Sequence, residues 1–531
     1  MKKYLFIALA AIGFAACTEK AENNVPVNNG EVEQSYIAVS FSADEMNRAD
    51  EKFDVGTDDE RAVKCAHFFF FNSQDKPFLI NKTKTNNWLR VGIEDIETSS
   101  SATGNVNVSD IKTIMAIKSY KGEYPSQIVA VLNYDGVLAD TYTLDALCES
   151  LVNIKAQSGA FIMSNSVYAN ETQKLEVNAA VLTPANIGKT EKEAAENAVT
   201  IHVERLAAKV VVKADGDNNG DVKNSYKVGE VDGQAVYAKI LGWDFYNEYY
   251  NSRLVKDIDP TWTGAIGFPW NNQAYYRSYW AVTPERAFPE DNMVSYNSLG
   301  KKLEKAGQLQ PYYCGENTLA DDKTEVVLKA QFVKAGGSNV EVATWMAHSY
   351  LDEKNLRTVV ANSLANRIYY KESGEYKSIT PDDLKVVEAD EFNPNTEAEL
   401  KAYHVFFQLS DDITNTKDWY LYSAETGFVY NTKENINVVL GGVEPALLYK
   451  GGKAYYHTTI KHLGAPETET EFGVVRNHSY VVNVTKIEGF GTPVFDPNTK
   501  FEPETPEDFE TFVAADVRIL SWRLVDPGYE I

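Results

Sequence analysis

TIHVERLAAKVVVK, residues 200–213, is the stretch that decides the fold class. Isoleucine, valine and threonine favour strands, because side chains branched at Cβ pack well on a pleated, half-buried surface. The stretch is the longest of many apolar runs that clusters of Gly, Asn, Asp and Pro separate along the chain. We therefore predict an all-β fold with minor helices, and the helical patterns lie at residues 144–156, 190–198 and 352–366.

Shorter runs carry the same signal on either side. The first run places Ile37, Val39 and Phe41 on one face. Residues 61–72 and 127–133 are apolar enough to be central strands that are buried on both faces. The remaining strand signals lie at residues 238–246, 324–333, 454–461, 478–486 and 512–525. Runs of this length and spacing are typical of β-sandwiches.

Breaks between the runs divide the chain into two tandem domains. The Gly- and Asp-rich residues 215–221 follow the longest strand signal and predict a boundary. We place one β-sandwich at residues 49–220 and a second at residues 221–492. Residues 493–510 hold four prolines among acidic side chains, which predicts an extended spacer rather than packed structure. This spacer and the last strand signal make up the final segment, residues 493–531.

The chain begins with the features of a bacterial lipoprotein precursor. Lys2 and Lys3 precede an apolar stretch that is too short to span a bilayer, so residues 1–16 are predicted to be a signal peptide. Cys17 follows two alanines, where lipoprotein processing cleaves the chain and attaches lipid such as palmitate. Residues 17–48 are then a lipidated propeptide that anchors the precursor in the outer membrane.

Charge and cysteine content narrow the range of functions. With 51 basic and 76 acidic residues the net charge is −25, which argues against nucleic acid as a partner. Once Cys17 carries lipid, three cysteines remain, an odd number that leaves at most one disulfide. Whether Cys65 and Cys148 form it stays open. No nucleophile-elbow, Walker or dinucleotide motif is present in the sequence, so we predict no catalytic residues, no enzyme activity and no cofactor.

Two groups of residues partly match binding sites. Asp215, Asp217 and Asn219 have the spacing of the first half of a calcium loop, but position twelve is Tyr226 rather than Glu, which favours a solvated turn and no metal. The aromatic residues 262–280 offer a glycan-binding face, but core and interdomain packing is the favoured interpretation. The alternative function is therefore a surface lipoprotein that does not polymerise and binds glycans or proteins.

The last strand signal has two apolar faces in succession. One face carries Val513, Val517 and Ile519, and the other carries Leu520, Trp522 and Leu524. This change of phase near residue 520 predicts a bend or a bulge. A long apolar strand at a chain end promotes aggregation unless a sheet accepts it. That sheet belongs either to the same chain or to a neighbouring chain, and both alternatives stay open.

Proteolysis can release the first strand. Arg48 and Ala49 lie in a loop-like stretch just after Phe41, and a trypsin-like, Arg-specific protease would cut between them. The cut frees the lipid anchor together with the first strand. If that strand fills a groove in the first sandwich, unpaired backbone groups remain, and a C-terminal strand from the next subunit has the right chemistry to fill it. Arg61 is a rival site, but a cut there approaches the following strand.

Seven stretches, in order over almost the whole chain, resemble the fimbrillins that build the type V pili of Bacteroidales, and among these the group of the minor-fimbrium shaft subunit. They are the lipoprotein start with Cys17, the Arg48-Ala49 pair, VERLAAKVV (residues 203–211), YRSYW (276–280), YCGENT with TEVVLKA (313–318 and 324–330), VVRNHSY (474–480) and ILSWR (519–523).

The resemblance implies two transthyretin-like β-sandwich domains, export as a lipoprotein, cleavage after Arg48 and polymerisation by donor-strand exchange. Shaft subunits of the family carry both a cleavable first strand and a C-terminal donor strand, and this chain has both. The implied partners are identical or related pilin subunits, anchor and tip subunits, and a host or bacterial surface receptor that the extracellular fimbrium meets in adhesion. A tip or accessory fimbrial adhesin is the alternative within the family.

Overall fold

The computed structural model of the 531-residue chain describes residues 32–42, 57–80, 85–92, 97–98, 106–107, 111–154, 160–166, 168–169, 175–176, 179–214, 216, 222–257, 281–283, 294–304, 310–319, 322–388, 401–411, 417–462, 472–503 and 512–521. The α-helices are α1 (Asp58–Arg61), α2 (Leu144–Glu149), α3 (Glu191–Glu196), α4 (Asp352–Leu364) and α5 (Lys433–Leu440). Short 3-10 helices lie at Pro184–Asn186, Pro381–Asp383 and Lys450–Gly452.

The strands of the first part of the chain are β1 (Val32–Ser42), β2 (Ala62–Val63), β3 (Cys65–Phe71), β4 (Trp88–Gly92), β5 (Glu97–Thr98), β6 (Val106–Asn107), β7 (Ile111–Tyr120), β8 (Gln127–Leu132), β9 (Leu151–Asn153), β10 (Met163–Asn165), β11 (Tyr168–Ala169), β12 (Leu175–Glu176), β13 (Ala180–Val181), β14 (Ile187–Gly188) and β15 (Val199–Arg205).

The strands of the second part are β16 (Ala208–Ala214), β17 (Ser225–Val231), β18 (Gln234–Tyr246), β19 (Asn251–Arg253), β20 (Tyr312–Cys314), β21 (Glu325–Val333), β22 (Val342–Trp345), β23 (His348–Leu351), β24 (Ile368–Glu372), β25 (Glu375–Ser378), β26 (Leu384–Glu388), β27 (Val405–Leu409), β28 (Asp418–Ser423), β29 (Gly427–Asn431), β30 (Leu447–Tyr449), β31 (Lys453–Thr459), β32 (His478–Glu488), β33 (Thr492–Pro493) and β34 (Phe512–Ser521).

The first sandwich is a ten-stranded sheet that folds over on itself. Its strand order is β4-β3-β8-β10-β15-β1-β7-β5, with β13 beside β8 and β14 beside β1. Phe68 of β3, Ile37 of β1 and Met115 of β7 share one apolar core, so the two ends of the sheet face each other. Phe69 of β3 lies in a different core on the other face. The prediction that this strand is buried on both faces is therefore confirmed.

The second sandwich consists of two separate sheets. Their strand orders are β20-β16-β32-β34 and β17-β18-β21-β31-β33. Val212 and Val482 from one sheet pack with Trp243 and Leu328 from the other in a single core. The all-β class with few helices and two sandwiches in tandem, predicted from the sequence, is confirmed.

The stretch at residues 200–213 forms two strands rather than the single one predicted. β15 ends at Arg205 and pairs with β1 and β10, whereas β16 starts at Ala208 and pairs with β20 and β32. Leu206 and Ala207, both buried, carry the chain from one sandwich to the other. An apolar run is continuous through such a crossover, so its pattern does not reveal the change of sheet. The crossover precedes the boundary predicted near residue 220.

An insert between β21 and β31 forms a third core that the sequence did not predict. β21 and β31 pair with each other, and β22 to β30 lie between them in the chain. Leu356 of α4, Phe407 of β27, Trp419 of β28 and Leu440 of α5 pack together in this core. The insert is joined to the second sandwich through β22 and β30, which pair with each other.

The prediction of an unpacked spacer is wrong for its first part. Pro493 lies in β33 opposite Ala454 of β31. Val494 and Phe501 are 3 % and 1 % exposed, and the ring of Phe501 lies 5.1 Å from that of Tyr455. The apolar side chains between the prolines anchor this segment to the second sandwich. Residues 504–511, the rest of the predicted spacer, lie outside the described residues.

Candidate assembly site

The first strand of the chain lies inside the first sandwich rather than at its edge. β1 pairs antiparallel with β7 over residues Val32 to Ser40. On its other side it pairs antiparallel with β14 and then parallel with β15, where Phe41 lies opposite Ile201. Its backbone N–H and C=O groups therefore enter ladders on both sides.

The side chains of β1 form part of the first core. Ile37 is fully buried and Val39 is 1 % exposed, and both pack with Met115 of β7 and Ile201 of β15. Ala38, which faces the opposite way, is also buried. Burying an isoleucine or valine side chain contributes roughly 1.5–3 kcal/mol each. The strand is thus an integral part of the sandwich.

Removal of β1 would open a slot between β7 and β15. Both strands would lose a ladder partner, and a buried polar group without a partner costs about 1–3 kcal/mol. Met115, Ile117 and Ile201, all buried in the intact chain, would lose apolar cover. The slot is shaped for one extended segment, since β1 has 11 residues. An open edge of this kind is a template for another strand.

The helix α1, the next described element after β1, is fixed by a buried glutamate. Thr57 and Glu60 form a capping box around α1, in which the Thr57 N–H donates to Glu60 Oε2 at 2.7 Å. Glu60 Oε1 accepts from the Tyr313 hydroxyl at 2.5 Å and lies 3.1 Å from Lys209 Nζ. Arg205 Nε donates to the Glu60 carbonyl at 2.7 Å. We call these contacts the Glu60 latch.

The Glu60 latch joins the segment after β1 to the second sandwich. Glu60 and Lys209 are 1 % and 2 % exposed, and Lys209 lies in β16 of the second sandwich. Removal of one partner from an ion pair buried in this way destabilises the folded protein by about 3–5 kcal/mol, because the other charge is left buried and uncompensated. Residues from Thr57 onward are therefore held independently of β1.

A second buried ionic group lies at the same junction. Lys256 Nζ is 3.1 Å from Glu204 Oε1, and Arg476 Nε is 2.7 Å from Glu316 Oε2. The N–H of Asn477 donates to the Ala207 carbonyl at 2.9 Å, beside the crossover. The stretches at 203–211, 313–318 and 474–480, which carry the family resemblance, therefore meet here. The sequence analysis did not predict this junction, because charged side chains are usually solvated.

The last described strand lies at the edge of the second sandwich. β34 pairs antiparallel with β32, from Phe512 opposite Glu488 to Ser521 opposite His478. It ends the strand order β20-β16-β32-β34, so it has one neighbour in this sheet. Of the two alternatives left open, the chain's own sheet is the one occupied here. β1 has neighbours on both sides, whereas β34 has a ladder on one side alone, so β34 is the easier strand to release.

The bulge predicted near Leu520 lies elsewhere. The register between β32 and β34 shifts between Val484 and Lys486, opposite Ala515 and Ala514. Leu520 is in a regular part of the ladder, opposite Ser479. The backbone hydrogen bonds continue past Leu520, where the apolar side chains change face. The change of face therefore did not predict the position of the bulge.

Several predicted residues cannot be placed. Cys17, Arg48 and Ala49, the calcium candidates Asp215, Asp217 and Asn219, the aromatic residues 262–280, and Trp522 and Leu524 lie outside the described residues. Val513, Val517, Ile519 and Leu520 belong to β34 by their backbone.

The thiols and the metal candidates have simple outcomes. Cys65, Cys148 and Cys314 are buried and form no disulfide, so the pairing of Cys65 with Cys148 that was left open is absent. Burial, together with Asp257 and Asp145, raises the pKa of the Cys148 thiol to about 12. Within the described ranges, no group of three His, Cys, Asp or Glu is placed to hold a metal ion. Nor does that part of the chain contain a helix of the length and apolarity that a bilayer crossing needs.

The fold and this site define an all-β class of protein in which the first described strand is a central strand of one sandwich and the last described strand is an edge strand of the next. Residues 447–526 match the family described as major fimbrial subunit protein type IV, fimbrillin, C-terminal. The match includes β32 and β34. It confirms the predicted resemblance to the fimbrillins over these residues. The fimbrillins are a structural family rather than an enzyme family.

Three solved structures to which the chain is similar are fimbrial proteins. The fimbrilin FimA from Porphyromonas gingivalis is 11% identical, with 92% of this chain and 98% of that chain covered and a TM-score of 0.38. The C-terminally truncated tip fimbrial protein Mfa3 from the same species is 9% identical, with 93% and 100% covered and a TM-score of 0.30. A fimbrial assembly protein from Parabacteroides distasonis is 9% identical, with 76% and 100% covered and a TM-score of 0.29. No curated protein matches the chain.

Proposed function

We propose that this chain is a shaft subunit of a surface fimbrium, which polymerises when β34 of one subunit enters the slot left by β1 of the next. The observation that carries the proposal is the setting of β1. It is a central strand with Ile37 and Val39 buried, yet it lies at the start of the described chain. Cleavage between residues 42 and 57 therefore removes a core strand without cutting any other described element.

Arg48 is the proposed cleavage site, and Ala49 becomes the first residue of the mature subunit. The bond lies between β1 and α1, and the Glu60 latch would hold the new N-terminal segment after the cut. Cleavage at Arg48 also separates the subunit from the lipid on Cys17, so the outer-membrane precursor becomes an extracellular subunit.

The rival site at Arg61 fits the fold less well. Arg61 is the last residue of α1, and Ala62 and Val63 after it are 4 % and 1 % exposed. A protease needs an extended, accessible segment on both sides of the bond that it cuts. Cleavage at Arg61 would require α1 to unfold and Glu60 to leave its partners.

The donor strand matches the slot in length and in the apolar side chains that it would turn to the first core. β34 has 10 residues and β1 has 11. We propose the register that puts Val517 in the place of Ile37 and Ile519 in the place of Val39. The opposite phase would direct the charged side chains of Asp516 and Arg518 at the apolar core, which is strongly unfavourable.

Charge supports a strand-based contact between subunits. Residues 1–48 carry four basic and six acidic side chains, so their removal changes the net charge from −25 to −23. Subunits of equal charge repel one another, and a shared β-ladder with buried side chains opposes that repulsion. Anchor and tip subunits would end the fibre, and the fibre would meet host or bacterial receptors in adhesion.

Limited proteolysis tests the proposal. Trypsin treatment of the purified precursor should give a ladder of multimers that survives mild detergent on a gel. The same treatment of a chain that ends at Asp508, and of a precursor that carries both Arg48→Gln and Lys52→Gln, should give monomers only, since trypsin also cuts after lysine. An Arg61→Gln precursor is the matched control and should still give the ladder. Ladders from the truncated chain, or none from the full-length chain, would contradict the proposal.

A further inference from the structure

The insert carries a sheet whose outer face is covered with aromatic rings. The strand order is β25-β24-β28-β29, and all neighbours are antiparallel. Alternation along each strand divides its residues between two faces. Ile368, Tyr370 and Trp419 pack inward in the third core. The opposite face carries Tyr369, Tyr376, Tyr420, Tyr422, Phe428 and Tyr430, which we call the aromatic platform.

The rings of the aromatic platform support one another. Tyr376 and Phe428 are stacked, with centroids 3.8 Å apart and planes 2° apart. Tyr369 meets Phe428 edge-on at 5.0 Å, and Tyr420 meets Tyr430 edge-on at 5.7 Å. Contacts of this kind hold rings in fixed orientations. The platform is therefore a preformed surface rather than a set of independent side chains.

The platform is exposed although its rings are large and apolar. Tyr376, Tyr422 and Phe428 are 39 %, 39 % and 38 % exposed, and Tyr430 is 60 % exposed. With about 150–250 Å² per aromatic side chain, these four rings alone leave roughly 350 Å² uncovered. An exposed patch of a few hundred Å² usually marks a binding site. None of these four rings belongs to the third core, so packing of that core does not account for them.

Charge and area indicate the kind of occupant. Lys371 and Asp418, which lie opposite each other in the β24–β28 ladder, share this face and cancel in charge. Within the four strands this face therefore carries no net charge, on a chain of net charge −25, which favours a neutral ligand over an acidic or a basic one. Its exposed area is well below the roughly 800 Å² that each partner of a stable protein interface buries.

We propose that the aromatic platform binds a neutral oligosaccharide. A pyranose ring has an apolar face of C–H groups that stacks on an aromatic ring, and hydroxyls at its rim that hydrogen-bond to tyrosine hydroxyls. Successive sugar units would lie over Tyr376 and Tyr430, which are on opposite edge strands of the sheet. The site is additional to polymerisation, since neither β1 nor β34 contributes to it.

An oligosaccharide array tests this site with the full uncleaved chain, so the result does not depend on assembly. The chain should bind one or more neutral oligosaccharides and no acidic ones of the same length. Tyr376→Ser and Tyr430→Ser should each weaken that binding roughly tenfold, whereas Tyr376→Phe and Tyr430→Phe, which keep the ring, should stay within about threefold. Val438→Ser, at an exposed apolar residue of α5, is the matched control and should bind as the unaltered chain does.

Three results would overturn the proposal. They are binding to acidic oligosaccharides alone, no binding above background to any neutral oligosaccharide, and neutral binding that the two serine variants leave unchanged. Because the phenylalanine variants keep the packing of the platform, a loss shared by serine and phenylalanine variants would assign the binding to the hydroxyls and also contradict ring stacking.

Discussion

Replacement of Ile37 by alanine should destabilise the precursor but not the fibre. Ile37 is fully buried in the first core, with Met115 and Ile201 around it. Truncation of a buried isoleucine to alanine costs about 2–5 kcal/mol, through lost burial and the cavity left behind. If the first strand is removed on assembly, the cavity leaves with it, and the mature first sandwich is the same in both proteins.

Hydrogen exchange of β7 measures the effect on the precursor. β7 is the antiparallel neighbour of β1, so its amides report on the slot. A cost of 2–5 kcal/mol corresponds to exchange about 30-fold to several thousand-fold faster in the Ile37→Ala precursor. Val32→Ala in the same strand is the control, since Val32 is 38 % exposed and its truncation should change exchange little. If the alanine precursor fails to fold, Ile37→Val should show the same trend, at about 0.5–1.5 kcal/mol.

The fibre provides the second half of the comparison. Fibres grown from Ile37→Ala precursors should dissociate at the same temperature as fibres from the unaltered chain. An equal loss of stability in precursor and fibre would mean that β1 stays in place after assembly, and the strand-replacement argument would be refuted.

Three further predictions concern other residues. Burial and a nearby arginine lower the pKa of His67 from 6.5 to about 4, so in this pH range the unfolded chain binds a proton that the folded chain does not. Stability on the order of 3 kcal/mol should therefore be lost as the pH falls from 6.5 to 4. A His67→Phe chain should lack this part of the pH dependence of chemical denaturation. The Cys148 thiol should resist alkylation at pH 8.5 in the folded chain. Unfolding without reductant should let the mature chain take up three alkyl groups by mass spectrometry, whereas a single alkyl group would indicate a disulfide. Glu60→Ala should remove the carboxylate that pairs with the buried Lys209 and give a new tryptic cut after Arg61, whereas Asp59→Ala, at an exposed residue of the same helix, should not.

The sequence predicted those parts of the fold in which pattern and burial agree. Residues 128–132 and 68–71 are uninterrupted apolar runs, and both became fully buried strands. The first strand alternates cleanly, and Ile37 and Val39 are indeed in the core. In these cases the residues of the segment itself determine its structure, so the local hydrophobic pattern is sufficient to predict it.

Other features depend on contacts between distant residues. The crossover at Leu206 and Ala207 interrupts an apolar run that resembles one strand. The run is continuous because the residues before the crossover are buried in the first sandwich and those after it in the second. Glu60 contacts Lys209 and Tyr313, which are remote in sequence, and nothing near Glu60 distinguishes it from a solvated charge. Such contacts become visible only once the chain is folded.

The aromatic platform was also missed, although its sequence signal exists. Aromatic residues are frequent in β24, β28 and β29, but only in β29 do they alternate with other residues, and all three strands are short. The aromatic residues 262–280, for which a glycan-binding face was the less favoured alternative, lie outside the described residues. Exposure cannot be read from alternation alone, since one face of such a strand is normally buried.

Cross-linking of the donor strand to its new neighbour tests the central claim most directly. Tyr36 of β1 lies opposite the exposed Ala116 of β7, and Asp516 takes the place of Tyr36 in the proposed register. In the precursor, Asp516 lies opposite Asn483 in the second sandwich instead. With cysteines at 116 and 516, oxidation should link chains covalently only after cleavage at Arg48. Monomers alone, with the second cysteine at 514, 516 or 518 in turn, would contradict the replacement of β1 by a neighbour's β34.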